Sequence, residues 1–136
     1  CDGTLHLNTR TMAKNVRAVC YSHDGGLTFQ DLKEDHQLLD PQCQGSIIKP
    51  NSSLPLVLFS NPACATSRRG MTLRRSMDDG RTWTSETKLH SGPAAYSSLC
   101  ALADGTIACL YEAGRFYPYE CILFETISTT EEHAIL

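Results

Sequence analysis

The chain has 136 residues, a length that suggests one domain at most, and its 41% hydrophobic and 20% charged content is that of a globular protein rather than a disordered segment. The formal net charge is −3, and basic residues adjoin only as the pairs Arg68-Arg69 and Arg74-Arg75, which leaves no basic footprint for nucleic acid. The longest apolar run, Leu54–Phe59, is six residues with a proline inside it, too short to cross a bilayer as a helix.

In chain order, strand signals dominate. Thr4–Thr9 alternates in polarity and is followed by Val16–Ser22, Gly45–Ile48, Leu56–Ser60, Met71–Ser76, Thr87–His90, Tyr96–Leu102, Thr106–Tyr111 and Tyr119–Ile127. Each run is short and bounded by Gly, Pro, Asp or Asn, and Asp2-Gly3 and Asp104-Gly105 are turn dipeptides leading into strands. Sustained helical periodicity is missing, with Asp31–Leu39 expected to form one weak helical turn and Thr129–Leu136 a frayed terminus. The first residue is not methionine and reads as the middle of an element, so the chain is expected to be a fragment.

Seven cysteines occur, an odd number, with no CxxC or histidine-containing cluster of the kind that holds zinc. Cys20, Cys100 and Cys109 lie inside apolar strand runs, which favours buried free thiols over a disulfide framework. Neither the cysteines nor the amino-terminus assigns a compartment.

One motif repeats. Ser22-His23-Asp24-Gly25-Gly26-Leu27-Thr28-Phe29 matches Ser76-Met77-Asp78-Asp79-Gly80-Arg81-Thr82-Trp83 as Ser-x-Asp-x-Gly-x-Thr-[Phe/Trp], displaced by 54 residues. Each copy follows a strand and suits a hairpin turn: the carboxylate accepts backbone amides, glycine supplies positive φ, and the ring packs beneath. Asp24 and Asp78 are therefore read as local amide acceptors rather than catalytic or calcium-binding groups. A repeat of this length fits one four-stranded blade, and the chain holds material for about two and a half to three blades of a propeller, which cannot close a ring alone.

The repeated turn is similar to the Asp box of sialidases (neuraminidases) and other neuraminidase-repeat proteins. Asp2–Arg17 resembles the family segment in which an Asp-Gly turn leads to an Asn-x-Arg strand and an active-site arginine. Asp40–Ser46 resembles its Cys-Gln-Gly-Ser strand opening, and Phe59–Ser76 its Ser-Asn-Pro segment with an arginine before the next Asp box. Ser91–Leu99 and Asp104–Gly114 resemble its tyrosine strand and Leu-Tyr-Glu strand. The match covers nearly the whole chain in family order and is nearest to bacterial and animal exo-α-sialidases. It implies an all-β fold, a partial six-bladed β-propeller, with residues 1–136 as the C-terminal portion of a single domain.

The resemblance also implies roles. Tyr96 matches the nucleophilic tyrosine, and Arg68 the last of three arginines that grip the sialic-acid carboxylate. Arg17 is preferred over Arg10 as the middle arginine, and Glu112 matches the glutamate that orients one of the arginines. Gln44 either lines the site or caps a loop. Planar guanidinium forks suit a carboxylate. The anomeric carbon of sialic acid bears that carboxylate, so a neutral phenol meets less repulsion than the carboxylate nucleophile of other retaining glycosidases. A phenol needs an adjacent base. The family's glutamate base is expected just ahead of Cys1, and its first arginine and acid/base aspartate in earlier blades, so this piece alone is expected to be inactive. The implied reaction releases terminal α-linked sialic acid from glycoproteins, glycolipids and oligosaccharides with retention, without metal or cofactor. The implied partners are sialylated glycans and the missing blades of the same chain, with membrane association only through a glycolipid substrate. A non-catalytic sialic-acid-binding propeller and a trans-sialidase are the alternatives.

Overall fold

The computed structural model describes residues 3–12 and 15–127. Among them there is no helix, and nine strands run antiparallel to their neighbours: β1 Leu5–Arg10, β2 Val16–Ser22, β3 Gln30–Leu39, β4 Ser46–Ile48, β5 Val57–Pro62, β6 Arg69–Ser76, β7 Ser85–Ala101, β8 Ile107–Ala113 and β9 Cys121–Ile127. They form a three-stranded sheet, β1-β2-β3, and a six-stranded sheet in the order β4 to β9.

The long strand β7 divides the larger sheet. Residues Ser85–Pro93 pair with β6, whereas Ala94–Ala101 pair with β8, and the register slips between Ala94 and Ser97. The first half closes a blade, β4-β5-β6-β7, and the second half opens the next, β7-β8-β9. A shift of 54 residues lays β2 on β6 and β3 on the first half of β7, so the repeat read from the turns is a repeat of blade topology. The molecule is an all-β partial propeller. The stretches expected as two strands, Thr87–His90 and Tyr96–Leu102, are one bent strand: Gly92-Pro93 between them does not end it, because β6 pairs up to Pro93 and β8 takes over from Ala94.

The expected helical turn at Asp31–Leu39 is corrected to strand β3. It is the outer strand of its blade and faces solvent at most positions, so it lacks the alternation by which a half-buried strand is recognised. What makes it a strand is the edge offered by β2, against which Arg17 pairs with Asp35 and Val19 with Lys33. Asp2 and the tail Thr129–Leu136 lie outside the described residues.

The two Asp boxes have the same wiring. The Ser22 hydroxyl donates to Asp24 Oδ1 (2.7 Å) and accepts from the Gly26 amide (2.8 Å), while Asp24 accepts from the Thr28 amide (2.9 Å) and hydroxyl (2.6 Å). Ser76, Asp78, Gly80 and Thr82 repeat each bond within 0.1 Å (2.7, 2.8, 2.8 and 2.6 Å). Gly80, at φ +83°, tolerates no side chain: a Cβ there would lie 2.7 Å from the His6 ring. The aromatic ends do not pack under their own turns as expected. Trp83 reaches the preceding blade, donating from Nε1 to Asp35 (3.0 Å) and resting against Phe59 (centroids 5.8 Å), while Phe29 is 44% exposed. The second box thus binds blade to blade.

The main core lies between the second and third blades, where Leu58, Met71, Leu73, Leu99, Ile107 and Tyr111 are buried together. The six described cysteines are all free; Cys20, Cys43 and Cys109 are buried, but Cys100, expected inside, is exposed because it shares the outward face of β7 with Tyr96 and Ser98.

Candidate functional site

The Asp boxes join the C-terminal ends of β2 and β6 to the next strands. The opposite ends of the same sheets carry Arg10, the loop Asp40–Gly45, the loop Ala63–Arg68 and the close of β8, and the candidate residues gather there. Scaffold turns and chemistry are therefore at opposite ends of the blades.

Arg10 and Arg17 are direct cross-strand partners of β1 and β2, yet they differ in surroundings. Arg17 is only 3% exposed. Its Nε donates to Asn8 Oδ1 (2.7 Å), its Nη1 to the Cys43 carbonyl (2.7 Å), and Asp40 Oδ2 lies 3.4 Å away as ion-pair partner. The guanidinium also sits over the Phe59 ring (5.4 Å to the centroid). Burial lowers its pKa and the Asp40 charge opposes that. These commitments hold the 40–43 loop on β2, so Arg17, expected as the middle carboxylate-binding arginine, stands here as a buried guanidinium held by Asp40, Asn8 and Cys43.

Arg10 is exposed and takes the open position. Its Nη1 donates to the Gln42 carbonyl (3.4 Å), and Arg68 Nη2 donates to the same oxygen (3.2 Å). Among the described residues neither has a carboxylate within ion-pair distance. Two guanidiniums converging on one neutral oxygen at an open surface form a fork into which a carboxylate can settle.

Tyr96 sits at the irregularity of β7, 43% exposed and turned out of the sheet, while its neighbours Ala95 and Ser97 are buried. The Arg68 guanidinium lies over its ring, 5.5 Å from the centroid. Glu112, on β8 beside it, accepts the Tyr96 backbone amide at Oε2 (3.1 Å). Among the described residues Glu112, expected to orient an arginine, forms no ion pair with one, and its carboxylate holds the backbone of Tyr96.

Gln44, expected to line the site or cap a loop, donates to the Gly45 carbonyl of its own loop (3.0 Å) and also crosses to β7. Its amide nitrogen donates to the Ser97 carbonyl (3.0 Å) and its amide oxygen accepts the Ser97 N–H (3.0 Å), completing by side chain the ladder that a strand would provide. The Ser97 hydroxyl bonds Ser60 on β5 (2.8 Å). The residue after Tyr96 is thus fastened to two elements of the previous blade. Asn61 of the Ser-Asn-Pro segment works similarly, donating to the Leu39 carbonyl (2.8 Å) and accepting from buried Arg74 (3.2 Å).

Sequence reasoning missed Tyr119. Its hydroxyl lies 2.7 Å from Arg68 Nη1. Burial opposes the charge on Arg68, and the Tyr119 bond together with the charges of Cys43, Tyr119 and Tyr96 outweighs it, leaving the Arg68 pKa raised. The signal was a polar-tipped aromatic just ahead of the last strand, which was read as strand residue instead.

The family described as BNR repeat-like domain matches residues 1–109. The chain is 40% identical over 126 residues to a sialidase of Micromonospora viridifaciens, covering 87% of this chain and 20% of that protein. It is 31% identical over 139 residues to sialidase-2 of Cricetulus griseus, covering 90% of this chain and 36% of the relative. Among solved structures, the Hadza microbial sialidase Hz136 superposes with a TM-score of 0.75 at 30% identity, covering 93% of this chain and 25% of that one. The leech intramolecular trans-sialidase has the same fold, with a TM-score of 0.78 at 24% identity, and covers 93% of this chain and 22% of its own. The chain spans about a fifth to a third of the length of these relatives. With its two Asp boxes, its blade topology and this match over most of its length, the chain belongs to the BNR repeat-like domain family.

Proposed function

We propose that this chain is the tyrosine-bearing part of an exo-α-sialidase, and that it contributes to hydrolysis of terminal α-linked sialic acid from glycoproteins, glycolipids and oligosaccharides with retention of configuration. The observation that carries the reading is the convergence of Arg10 and Arg68 on one oxygen, with Arg68 also laid over the Tyr96 ring. In this reading the two forks hold the carboxylate of the sugar, which places the anomeric carbon it is attached to beside the phenol. Tyr96 attacks that carbon as the leaving oxygen departs, forming a glycosyl–tyrosine bond that water then cleaves. Glu112 is occupied with the Tyr96 amide, not its hydroxyl, and so serves as a positioning group. The base for the phenol proton, the leaving-group acid and a third arginine are assigned by resemblance to sequence ahead of Cys1. Activity is accordingly expected of the longer parent chain.

The test is hydrolysis of a fluorogenic sialoside by the full-length parent. Tyr96→Phe is expected to lower kcat/KM at least about a hundred-fold. Turnover that survives Tyr96→Phe overturns the nucleophile assignment. A wild-type parent that binds sialic acid without cleaving it points to the lectin instead.

A further inference from the structure

We propose that Gln42 is a positioning residue of the carboxylate grip: its left-handed backbone aims one carbonyl oxygen between Arg10 and Arg68, so that the two guanidiniums converge before any ligand arrives. This rests on the sialoside-cleaving reading above. Four described residues other than glycine have positive φ: Asn15, Asp31, Asp79 and, at +58°, Gln42. Asn and Asp visit that region because their short side chains bond the local backbone, a compensation the longer Gln lacks. A residue kept there against its preference is kept by its surroundings, and such positions gather where a function depends on them.

The surroundings clamp Gln42 from both sides. The Asp40 amide donates to the Asn15 carbonyl (2.9 Å), and Asp40 Oδ1 accepts the Cys43 amide (3.2 Å). Buried Arg17 holds Asp40 and the Cys43 carbonyl together. Gln42 itself donates from Nε2 to the Met12 carbonyl (2.8 Å), two residues past the Arg10 that ends β1. Its side chain thereby ties the loop to the segment that carries one arginine of the pair.

With its flanks fixed in this way, the Gln42 carbonyl accepts from Arg10 Nη1 (3.4 Å) and Arg68 Nη2 (3.2 Å) at once. Two like charges brought to one point repel, and the negative end of a carbonyl dipole between them offsets that. Arg68 is held at its other terminal nitrogen by the Tyr119 hydroxyl and across its plane by the Tyr96 ring. The Gln42 bond therefore sets where Arg10 lies relative to a guanidinium that is already fixed. A guanidinium has five N–H donors, so one bond to Gln42 leaves donors for a carboxylate. A fork assembled in advance costs an arriving ligand less ordering.

The experiment measures hydrolysis of a fluorogenic sialoside by the full-length parent and its Gln42→Gly, Gln42→Ala and Gln42→Val variants. All three lack the Nε2 tether and differ in how well they accept positive φ. KM is expected to rise in that order, with Gln42→Val about 5- to 10-fold above Gln42→Gly and kcat moving less than KM. The inhibition constant of a 2,3-unsaturated sialic acid should follow KM, whereas that of its methyl ester, which has no anion to seat, should stay within about two-fold. Equal KM values in the three variants overturn the proposal, and so does a rise shared equally by acid and ester. Should Gln42→Val fail to fold, Gln42→Ala against Gln42→Gly decides by the same criteria. A wild-type parent that does not cleave the sialoside refutes the functional reading itself, a result distinct from these.

Discussion

Arg17 and Arg10 face each other across one strand pair, and the account gives them opposite jobs. Removing Arg17 leaves the Asp40 carboxylate, 1% exposed, without its cation. Arg17→Ala should therefore destabilise the protein by about 3–5 kcal/mol in denaturant unfolding. Arg10→Ala should leave the unfolding midpoint nearly unchanged and raise KM for a sialoside about ten-fold or more. The reverse pattern would return Arg17 to the carboxylate grip. The Asp boxes give a second prediction at this scale. The Asp78 carboxyl is held at about 2 against an ordinary 3.8; partial burial pushes it up, and bonds from the Thr82 hydroxyl and amide, the Ser76 hydroxyl and the Arg81 amide together outweigh that. The folded value lies below the unfolded one, so the box's stabilisation is complete above about pH 4 and is lost as pH falls toward 2. Asp78→Asn should lower the Tm at neutral pH and make the Tm drop less between pH 4 and pH 2 than in the wild type. A parallel drop in both proteins would contradict this.

Between strands, Gln44 is the element-level device that sets Tyr96. It stands in for a missing strand between the second blade and β7, and Gln44→Ala leaves the Ser97 N–H and C=O without their partner. The expected cost is about 1–3 kcal/mol in unfolding, with a fall in kcat larger than the change in KM, because the backbone of the proposed nucleophile loses a tether while the proposed carboxylate grip is intact. If kcat and stability both hold, Tyr96 is positioned by Glu112 and the sheet alone. The same elements show what was legible in the sequence. Tyr96 and Arg68 are singled out by the resemblance of Ser91–Leu99 and of the Asn61-Pro62 lead to family segments, and the structure sets them side by side. The strands of the blade centres could be read because one or both of their faces are buried and apolar. Strand β3 could not, because as an outer strand its sequence is set by solvent and its conformation by β2. The different surroundings of Arg10 and Arg17 could not either, because they depend on Asp40, which the chain brings back only after the whole of β3. Gln44 and Tyr119 act through partners more than fifty positions away, a separation no local pattern records.

For the molecule as a whole, β7 explains how one sheet serves two blades. Its first half is the outer strand of one and its second half the inner strand of the next, and the change of partner occurs where Tyr96 turns outward. The bend that passes the chain from blade to blade thus also delivers the phenol to the open end of the sheets, away from the Asp boxes. Two and a half blades carry the tyrosine and two arginines. The remaining groups of the proposed reaction are expected in the rest of the parent. The most direct test is to trap the reaction halfway in that parent with a fluorinated sialosyl fluoride, whose glycosyl–enzyme bond hydrolyses slowly, and to map the label by peptide mass spectrometry. The account predicts one sialosyl adduct, on Tyr96. An adduct on any other residue, or sustained turnover with no adduct formed, would contradict it.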